Sequence, residues 1–265
     1  MTRTILAIGD IIGQPGARAL FALLAGLKKQ YRADITIVNG ENACNGFGLT
    51  PELADTIFNS GADVISTGNH IWDQKEIYRY LDDQPNILRP ANYPSGNPGK
   101  GSCIVKAGEI RYAVVNLQGR ERMAHIDCPF KKATELLRKL SSQADVFIID
   151  FHADDAQEKE AMAYYLDGQA TLFFGTHTHI QTADQRILPK GTAYISDIGA
   201  SGPENSIIGF DSDIGIRRSI TYLPLKNEVS TSPTVICGIV VTFDDEKPLR
   251  AQSIKTIRVP MDMIT

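Results

Sequence analysis

Cysteine is scarce in this sequence, and the residues that occur are far apart. No C-x-x-C pair is present among Cys44, Cys103, Cys128 and Cys237. In a chain of 265 residues this pattern excludes a disulfide framework and a cysteine-based structural zinc site. Free thiols are typical of a reducing compartment, so we expect a cytoplasmic protein.

Long hydrophobic runs are also missing. No stretch approaches the roughly 18 uninterrupted apolar residues of a membrane span, which argues against membrane insertion. Asp10 interrupts the apolar start of the chain, and no small-residue cleavage site follows it. We therefore expect neither a secretory signal peptide nor a membrane partner.

The sequence has no excess of positive charge, since its formal net charge is −4 and its pI is about 5.8. Without basic runs, tight and sequence-independent binding to a long nucleic acid is not expected. A small nucleotide or a short RNA stays open as a partner, because metal ions could supply the missing positive charge. A homo-oligomer also stays open.

The composition is sufficient for a large core, with 43% hydrophobic and 22% charged residues. The length fits one α/β domain over residues 1–265. Five short apolar runs each end in polar residues, and they cover residues 5–8, 35–38, 64–66, 146–149 and 172–174. Near-continuous apolar runs of this length are typical of strands that are buried on both faces.

The segments between the runs predict helices and further strands. Apolar stripes at 20–31, 53–58 and 130–140 predict helices, so strand and helix alternate as βαβ units. Residues 102–116 predict a β-hairpin, and residues 235–259 repeat the pattern. We therefore expect a second sheet, or antiparallel edge strands, packed on the first. Residues 197–232 predict a long loop with at most short elements.

Side chains that bind metals occur just after the five apolar runs. They are Asp10, Glu41, Asn42, Asn69, His70, His152, His177 and His179. Because loops at the carboxyl ends of strands converge on one crevice, we expect these side chains to meet at one edge of the sheet. Imidazole, carboxylate and amide donors suit iron, manganese, zinc or cobalt rather than calcium.

Seven such ligands, with one bridging carboxylate, would hold two metal ions roughly 3.5–4 Å apart. If both ions are divalent, the two carboxylates leave a surplus of positive charge. A bridging hydroxide and a phosphodiester anion would neutralise that surplus. The predicted site is therefore suited to bind one additional anion.

Each motif has a simpler explanation when it is taken alone. Gly-Asp and Asn-Gly pairs are common turn sequences, and a lone histidine such as His152 is more often a hydrogen-bonded core residue. His177 and His179 would share one face of a strand, where a metal ion would satisfy both. The coincidence of metal-binding residue types after all five runs favours a shared site.

Several further polar residues leave alternatives open. Asp73, Asp150 and Asp197 could orient ligand histidines by hydrogen bonding to them, but capping and turn roles stay equally open. Arg89 and Arg120 could contact a substrate phosphate or ribose. For both arginines a structural ion pair is the preferred interpretation.

Taken together, the motifs resemble the calcineurin-like metallophosphoesterase superfamily. They are Gly9-Asp10, Gly40-Glu41-Asn42, Gly68-Asn69-His70 and Gly175-Thr176-His177-Thr178-His179. The resemblance is closer to the YmdB-like bacterial branch, with matches at 39–42, 68–73, 89–92, 116–120, 150–152, 175–184 and 187–194. It implies a layered α/β sandwich with two central mixed sheets flanked by helices.

The sequence departs from the wider superfamily at two positions. The first motif has no histidine after Asp10, and Glu41 stands where an aspartate is usual. The YmdB-like branch shares both departures, and Asn42 takes the place of the missing histidine.

The resemblance implies two metal ions that share Glu41 as a bridge. The first ion would be held by Asp10, Glu41, Asn42 and His179, and the second by Glu41, Asn69, His152 and His177. The ions would be divalent or mixed-valence transition metals, with iron as the expected metal and manganese or zinc as alternatives. His70 would be the general acid rather than a ligand.

The resemblance also implies hydrolysis of 2′,3′-cyclic nucleotides and a regulatory role in bacteria. A metal-bridged hydroxide would attack phosphorus, and His70 would protonate the leaving oxygen. Other specificities stay open, namely 3′,5′-cyclic nucleotides, short RNA or a nucleotidase substrate, and so does a metal-stabilised regulatory scaffold with incidental catalysis. Specificity would come from loops such as 92–102 and 197–232, so no substrate-binding residue is named.

Overall fold

The computed structural model describes residues 1–261, in which two mixed β-sheets face each other between layers of helices. This is the layered α/β sandwich that the sequence predicts. The strands, in chain order, are β1 (Thr2–Ile8), β2 (Asp10–Ile11), β3 (Ile35–Asn39), β4 (Val64–Ser66), β5 (Ser102–Ala107), β6 (Ile110–Gln118), β7 (Val146–His152), β8 (Leu172–Thr176), β9 (Arg186–Ile187), β10 (Ala193–Ile195), β11 (Ala200–Pro203), β12 (Thr234–Asp244) and β13 (Ala251–Pro260).

In residues 1–261 the first sheet has the order β2-β11-β12-β1-β3-β4, and β13 also pairs with β12. Strands β1, β3 and β4 are parallel, whereas β12 runs antiparallel to β1 with Thr2 opposite Asp244. The second sheet has the order β5-β6-β7-β8-β10-β9, with antiparallel strands at both edges of a parallel centre. The predicted hairpin over 102–116 therefore forms one edge of the second sheet.

The five apolar runs are buried on both faces because each strand lies between two apolar layers. On β1, Ile5 and Ala7 belong to the core between the sheets, while Leu6 and Ile8 face the helices of the first sheet. Side chains of a strand alternate between its two faces, so both sets must be apolar. This is why the runs contain almost no polar residue.

The helices cover the outer face of each sheet. In chain order they are α1 (Gly13–Tyr31), α2 (Pro51–Asn59), α3 (Ile77–Asp83), α4 (Pro129–Leu140), α5 (Ala156–Leu166) and α6 (Ser212–Thr221), with a short 3-10 helix at Asn69–Trp72. Helix α2 begins after Thr50, whose hydroxyl accepts a hydrogen bond from the Leu53 amide, and Asp155 caps α5 in the same way through Glu158. Helices α1 to α3 cover the first sheet, and α4 and α5 cover the second.

Two details differ from the sequence predictions. Phe21, placed in the apolar stripe of the first helix, is 64% exposed, because Leu20, Leu24 and Leu27 already fill the buried face of α1. Residues 197–232 contain the ten-residue helix α6 as well as β11, so they are more than a loop with short elements. Helix α6 buries none of its residues, and the periodicity of a core-facing helix is therefore missing from its sequence.

No helix within residues 1–261 is both long enough and apolar enough to cross a membrane.

Candidate metal centre

The gap between the two sheets changes from apolar to polar at the carboxyl ends of the strands. On β7, Val146 and Ile148 belong to the core between the sheets, and the same alternation brings Asp150 and His152 to that face. On β8 the alternation from Leu172 and Phe174 leads to Thr176. A buried polar region therefore forms where the apolar filling between the sheets ends.

The predicted ligands meet in this region, but they come from two sheets rather than from one edge of a single sheet. Asp10, Glu41, Asn42, Asn69 and His70 follow strands of the first sheet. In the second sheet, His152 is the last residue of β7, and His177 and His179 follow β8. The expectation of one sheet edge was wrong, because an apolar run shows that a strand is buried without showing which sheet it joins.

Four side chains form a first group around the ring of His152. Its Nε2 lies 3.1 Å from Glu41 Oε1, 3.0 Å from Asn69 Oδ1 and 3.0 Å from His177 Nδ1. Glu41, His152 and His177 can each offer a ligand atom within 4.8 Å of the others. These are the residues that the family resemblance assigns to the second of the two ions.

The other three side chains form a second group. His179 Nε2 lies 3.6 Å from Asp10 Oδ2 and 2.8 Å from the side-chain nitrogen Nδ2 of Asn42. The His179 Nδ1 lies 2.9 Å from the carbonyl oxygen of Ile208, which therefore accepts a hydrogen bond from it and leaves Nε2 directed into the site. The backbone amide of His177 joins the groups by donating to Asp10 Oδ2 at 3.2 Å.

The two histidines of the Thr-His-Thr-His motif lie in a turn and not in a strand. Strand β8 ends at Thr176, and His177 and His179 have positive φ angles of 102° and 65°. Such angles are uncommon for residues other than glycine, and they persist where surrounding contacts hold them. The prediction that these histidines share one strand face was wrong, because the backbone turns before the first of them.

The electrostatics of the unliganded groups favour a cation between them. Burial raises the pKa of Asp10 well above its usual value, and the nearby carboxylate of Glu41 raises it further. Burial also opposes ionisation of Glu41, but the neighbouring imidazoles, first of all His152, outweigh it and hold the pKa of Glu41 at about 2. Asp10 therefore lacks a compensating positive charge, which a bound metal ion would supply.

The histidines are in the protonation state that metal binding requires. Burial lowers the pKa of His177 to about 3, with the nearby His152 adding to the shift, and burial also lowers the pKa of His179. Both rings are therefore neutral near pH 7 and have a lone pair available.

Two further observations show that the donor set fits metal ions. The Asp10 Oδ1 and Asn42 Oδ1 atoms are buried, and neither has a hydrogen-bond partner within residues 1–261. Gly68 lies so close that an added Cβ would be 2.3 Å from Glu41 Oε2 and from His152 Nε2. The absence of a side chain at Gly68 therefore lets Glu41 and His152 lie close to the backbone at this point.

His70 lies beside the first group without joining it. Its backbone amide is 3.4 Å from Glu41 Oε2, while its ring Nδ1 is 2.8 Å from Asp73 Oδ2. The Asp73 carboxylate can hold the proton on Nδ1 and orient the ring. Of the two roles left open for Asp73, contact with a site histidine is therefore the one that the geometry supports.

The structure adds two supporting residues to which the sequence assigns no role, Thr176 and Lys159. The Thr176 hydroxyl lies between His152 and Asp150, and the ammonium of Lys159 is 3.0 Å from Asp197. Thr176 could have been found from its alternation with Phe174, whereas a lysine in a helix gives no sign that it is buried.

The preferred interpretation of Arg89 and Arg120 as ion-paired residues was wrong. Neither side chain forms an ion pair within the part of the chain that the structure describes, and Arg89 instead donates to the carbonyl oxygens of Pro90 and Pro98. The amide of Arg120 donates to the Glu158 carboxylate, so that contact involves only its backbone.

A cavity of about 310 Å³ opens onto the ligand groups. Glu41, His70 and His177 form part of its wall, and Phe47, Phe210 and Asn227 form another part. The rings of Phe47 and Phe210 are stacked with centroids 5.3 Å apart. The site thus combines a polar floor with an aromatic wall.

Comparison with known proteins gives a consistent match across the chain. The family model described as YmdB-like protein matches residues 6–257. The sequence is 48% identical over 242 residues to the 2′,3′-cyclic-nucleotide 2′-phosphodiesterase of Bacillus subtilis (strain 168), covering 91% of this chain and 92% of that protein.

Two crystal structures agree closely with this fold. A hypothetical protein from Thermus thermophilus superposes with a TM-score of 0.92 at 35% identity, covering 98% of this chain and 100% of that one. A novel phosphatase of Mycoplasma pneumoniae superposes with a TM-score of 0.92 at 32% identity, covering 98% and 94%. The NAD nucleotidase of Haemophilus influenzae shares the fold, with a TM-score of 0.59 at 14% identity over 98% of this chain and 56% of that one.

Proposed function

Because the chain belongs to the YmdB-like protein family, we propose that it hydrolyses 2′,3′-cyclic nucleotides at a dinuclear metal centre. The chain is a phosphoesterase, and phosphodiester hydrolysis is the activity that its relatives support. The observation that carries the finer proposal is the convergence of seven ligand-type side chains in two groups, joined by the His177 amide and Asp10.

The assignment of ligands follows these two groups. Asp10, Asn42 and His179 would hold one ion, and Asn69, His152 and His177 the other, with Glu41 bridging. Two bound transition-metal ions, with iron expected and manganese or zinc as alternatives, would lower the pKa of a water molecule and stabilise charge on the phosphate oxygens. The neutral state of His177 and His179 leaves their lone pairs free for this purpose.

His70 would act as the general acid. Asp73 holds the ring through Nδ1, and Nε2 has no hydrogen-bond partner within residues 1–261. His70 lines the cavity next to Glu41, where a leaving ribose oxygen would develop negative charge. A proton donated from Nε2 would neutralise that charge.

The aromatic wall supports a nucleotide as the substrate. Phe47 is half-buried beside His70, with ring centroids 5.2 Å apart, and it stacks on Phe210. An apolar ring surface next to a site for an anion matches a base attached to a cyclic phosphate. A 2′,3′-cyclic phosphate is also strained, so its ring opens readily.

The test is a metal analysis combined with a panel of substrates. Protein purified and dialysed should retain two transition-metal equivalents, and it should hydrolyse 2′,3′-cyclic nucleotides faster than 3′,5′-cyclic nucleotides, short RNA or nucleoside monophosphates. Retention of one equivalent or fewer by active protein would contradict the dinuclear centre. A preference for another substrate would contradict the specificity and leave the phosphoesterase assignment intact.

A further inference from the structure

A cavity of about 640 Å³ lies between helix α4 and the segment that leads into β5, and it shares no lining residue with the metal centre. Four cationic side chains line it, namely Arg89, Lys100, Lys132 and Lys139. Within residues 1–261 no aspartate or glutamate lines it, although acidic residues outnumber lysine and arginine by 31 to 27 in the chain. The cavity is thus a local concentration of positive charge in an acidic protein.

Arg89 is the buried member of this set, with only 8% of its surface exposed. Its Nη1 donates to the Pro90 carbonyl oxygen at 2.9 Å and its Nε to that of Pro98 at 3.4 Å, while Nη2 has no partner within the described residues. Burial lowers the pKa of Arg89, and no nearby carboxylate opposes the shift. A buried guanidinium without an anion is costly, and the half-buried Arg3 shows the usual alternative by pairing with two aspartates.

Two of the three lysines add unpaired positive charges at the rim of the cavity. Lys100 and Lys139 are exposed and form no ion pair within residues 1–261. Lys132 is already bound to Glu135 at 2.8 Å. Three cations are therefore available to one ligand, namely the guanidinium inside and two ammonium groups at the edge.

The remaining wall is partly apolar, since Ile104, Leu136 and Leu140 also line the cavity. Its volume lies in the range of roughly 300–1,000 Å³ that is usual for sites of small organic ligands. We propose that this cavity is a second binding site, for a nucleoside diphosphate or a ligand of the same chemistry. The phosphates would bind Arg89 and the two free lysines, and the base would lie against the aliphatic wall.

The test is a calorimetric titration of the metal-loaded, full-length protein with ADP. A Lys100→Gln/Lys139→Gln double variant should bind ADP about tenfold more weakly, because two exposed charges are removed. The matched variant Lys106→Gln/Lys131→Gln removes two exposed lysines outside the cavity and should bind as the wild type does. Adenosine, which has no phosphate, should show no binding at the same concentrations.

Equal ADP affinity in the two double variants would overturn the proposal, and so would the absence of ADP binding by the wild type. If ADP bound only at the metal centre, the two double variants would have equal affinity, because neither variant changes that centre. Arg89→Lys supplies a second measurement, since it keeps the charge but loses the planar fork, and it should weaken ADP binding without changing the response to adenosine. These readouts do not use turnover, so a failure of the proposed activity would leave them interpretable.

Discussion

The ring Nδ1 of His152 lies 2.9 Å from the hydroxyl oxygen of Thr176, and that hydroxyl lies 2.9 Å from Asp150 Oδ1. A hydroxyl has one proton, which Thr176 donates to the carboxylate, so it can only accept from His152. His152 therefore carries a proton on Nδ1, and its Nε2 is the ring nitrogen directed towards Glu41. Thr176 selects the tautomer that a metal ligand needs.

Thr176→Val should weaken metal binding while leaving the fold in place, because the side chain keeps its shape but loses the hydroxyl. Outer partners of ligand histidines typically change metal affinity about 10–100-fold, and we expect a loss in that range. The measurement is competition for the metal against a chelator of known affinity. Thr176→Ser retains the hydroxyl and should stay close to the wild type; an equal loss in both variants would point to packing instead.

Gly68→Ala should abolish metal retention. The added Cβ would lie 2.3 Å from both Glu41 Oε2 and His152 Nε2, so these groups must separate. Metal content after dialysis, measured by elemental analysis, gives the readout. Gly26→Ala is the matched control, because a Cβ there meets nothing within 4 Å and alanine is favoured inside a helix. A Gly68→Ala protein with wild-type metal content would show that the site is not formed around these two groups.

Lys159→Met should destabilise the protein strongly and loosen the turn that carries His177 and His179. Lys159 is 1% exposed, and its partner Asp197 also accepts hydrogen bonds from the amide and hydroxyl of Thr178. Removal of the ammonium leaves a buried carboxylate unpaired, which costs about 3–5 kcal/mol of unfolding free energy. Urea unfolding measures this loss.

The double variant Lys159→Met/Asp197→Asn removes both charges and should recover part of the lost stability. Its metal affinity distinguishes two roles of the pair. Recovered stability with persistently weak metal binding would show that Asp197 positions the turn, whereas full recovery of both would show that the pair matters only for charge balance.

His70→Ala should lower kcat while the protein keeps its metal. A general acid typically contributes about 10²–10⁴-fold, and His70 touches Glu41 only through its backbone amide. Asp73→Asn should give a smaller loss, since the ring stays but its orientation weakens. Turnover and metal content are measured on the same samples. Unchanged kcat in metal-loaded His70→Ala would remove this residue from the reaction.

The sequence predicts the strands well because each run is buried on both faces, which leaves no room for polar residues. Ile5 and Leu6 illustrate this, since one faces the second sheet and the other faces the helices. The division of the strands into two sheets was not predictable in the same way. Val64 and Val146 have similar neighbours in the sequence, since each follows Ala-Asp, yet their strands belong to different sheets. Strand pairing depends on contacts between distant parts of the chain.

The site shows the same limit. Asp10 and His179 stand beside apolar runs and have metal-binding chemistry, so their types alone suggest a shared role. Lys159 gives no such signal, because a lysine between polar neighbours in α5 has the sequence pattern of a solvent-exposed position. Its burial depends on Asp197, 38 residues later, which only the folded structure brings within reach.

The pairing of β1 with β12 has a consequence for synthesis of the protein on the ribosome. Thr2 lies opposite Asp244, so β1 cannot complete its pairing until β12, more than 200 residues later in the sequence, has been made. Contacts so distant in sequence slow folding, and an incomplete chain exposes the edge of β1 in the meantime. Nascent chains that stall before residue 234 should therefore depend on chaperones to avoid aggregation.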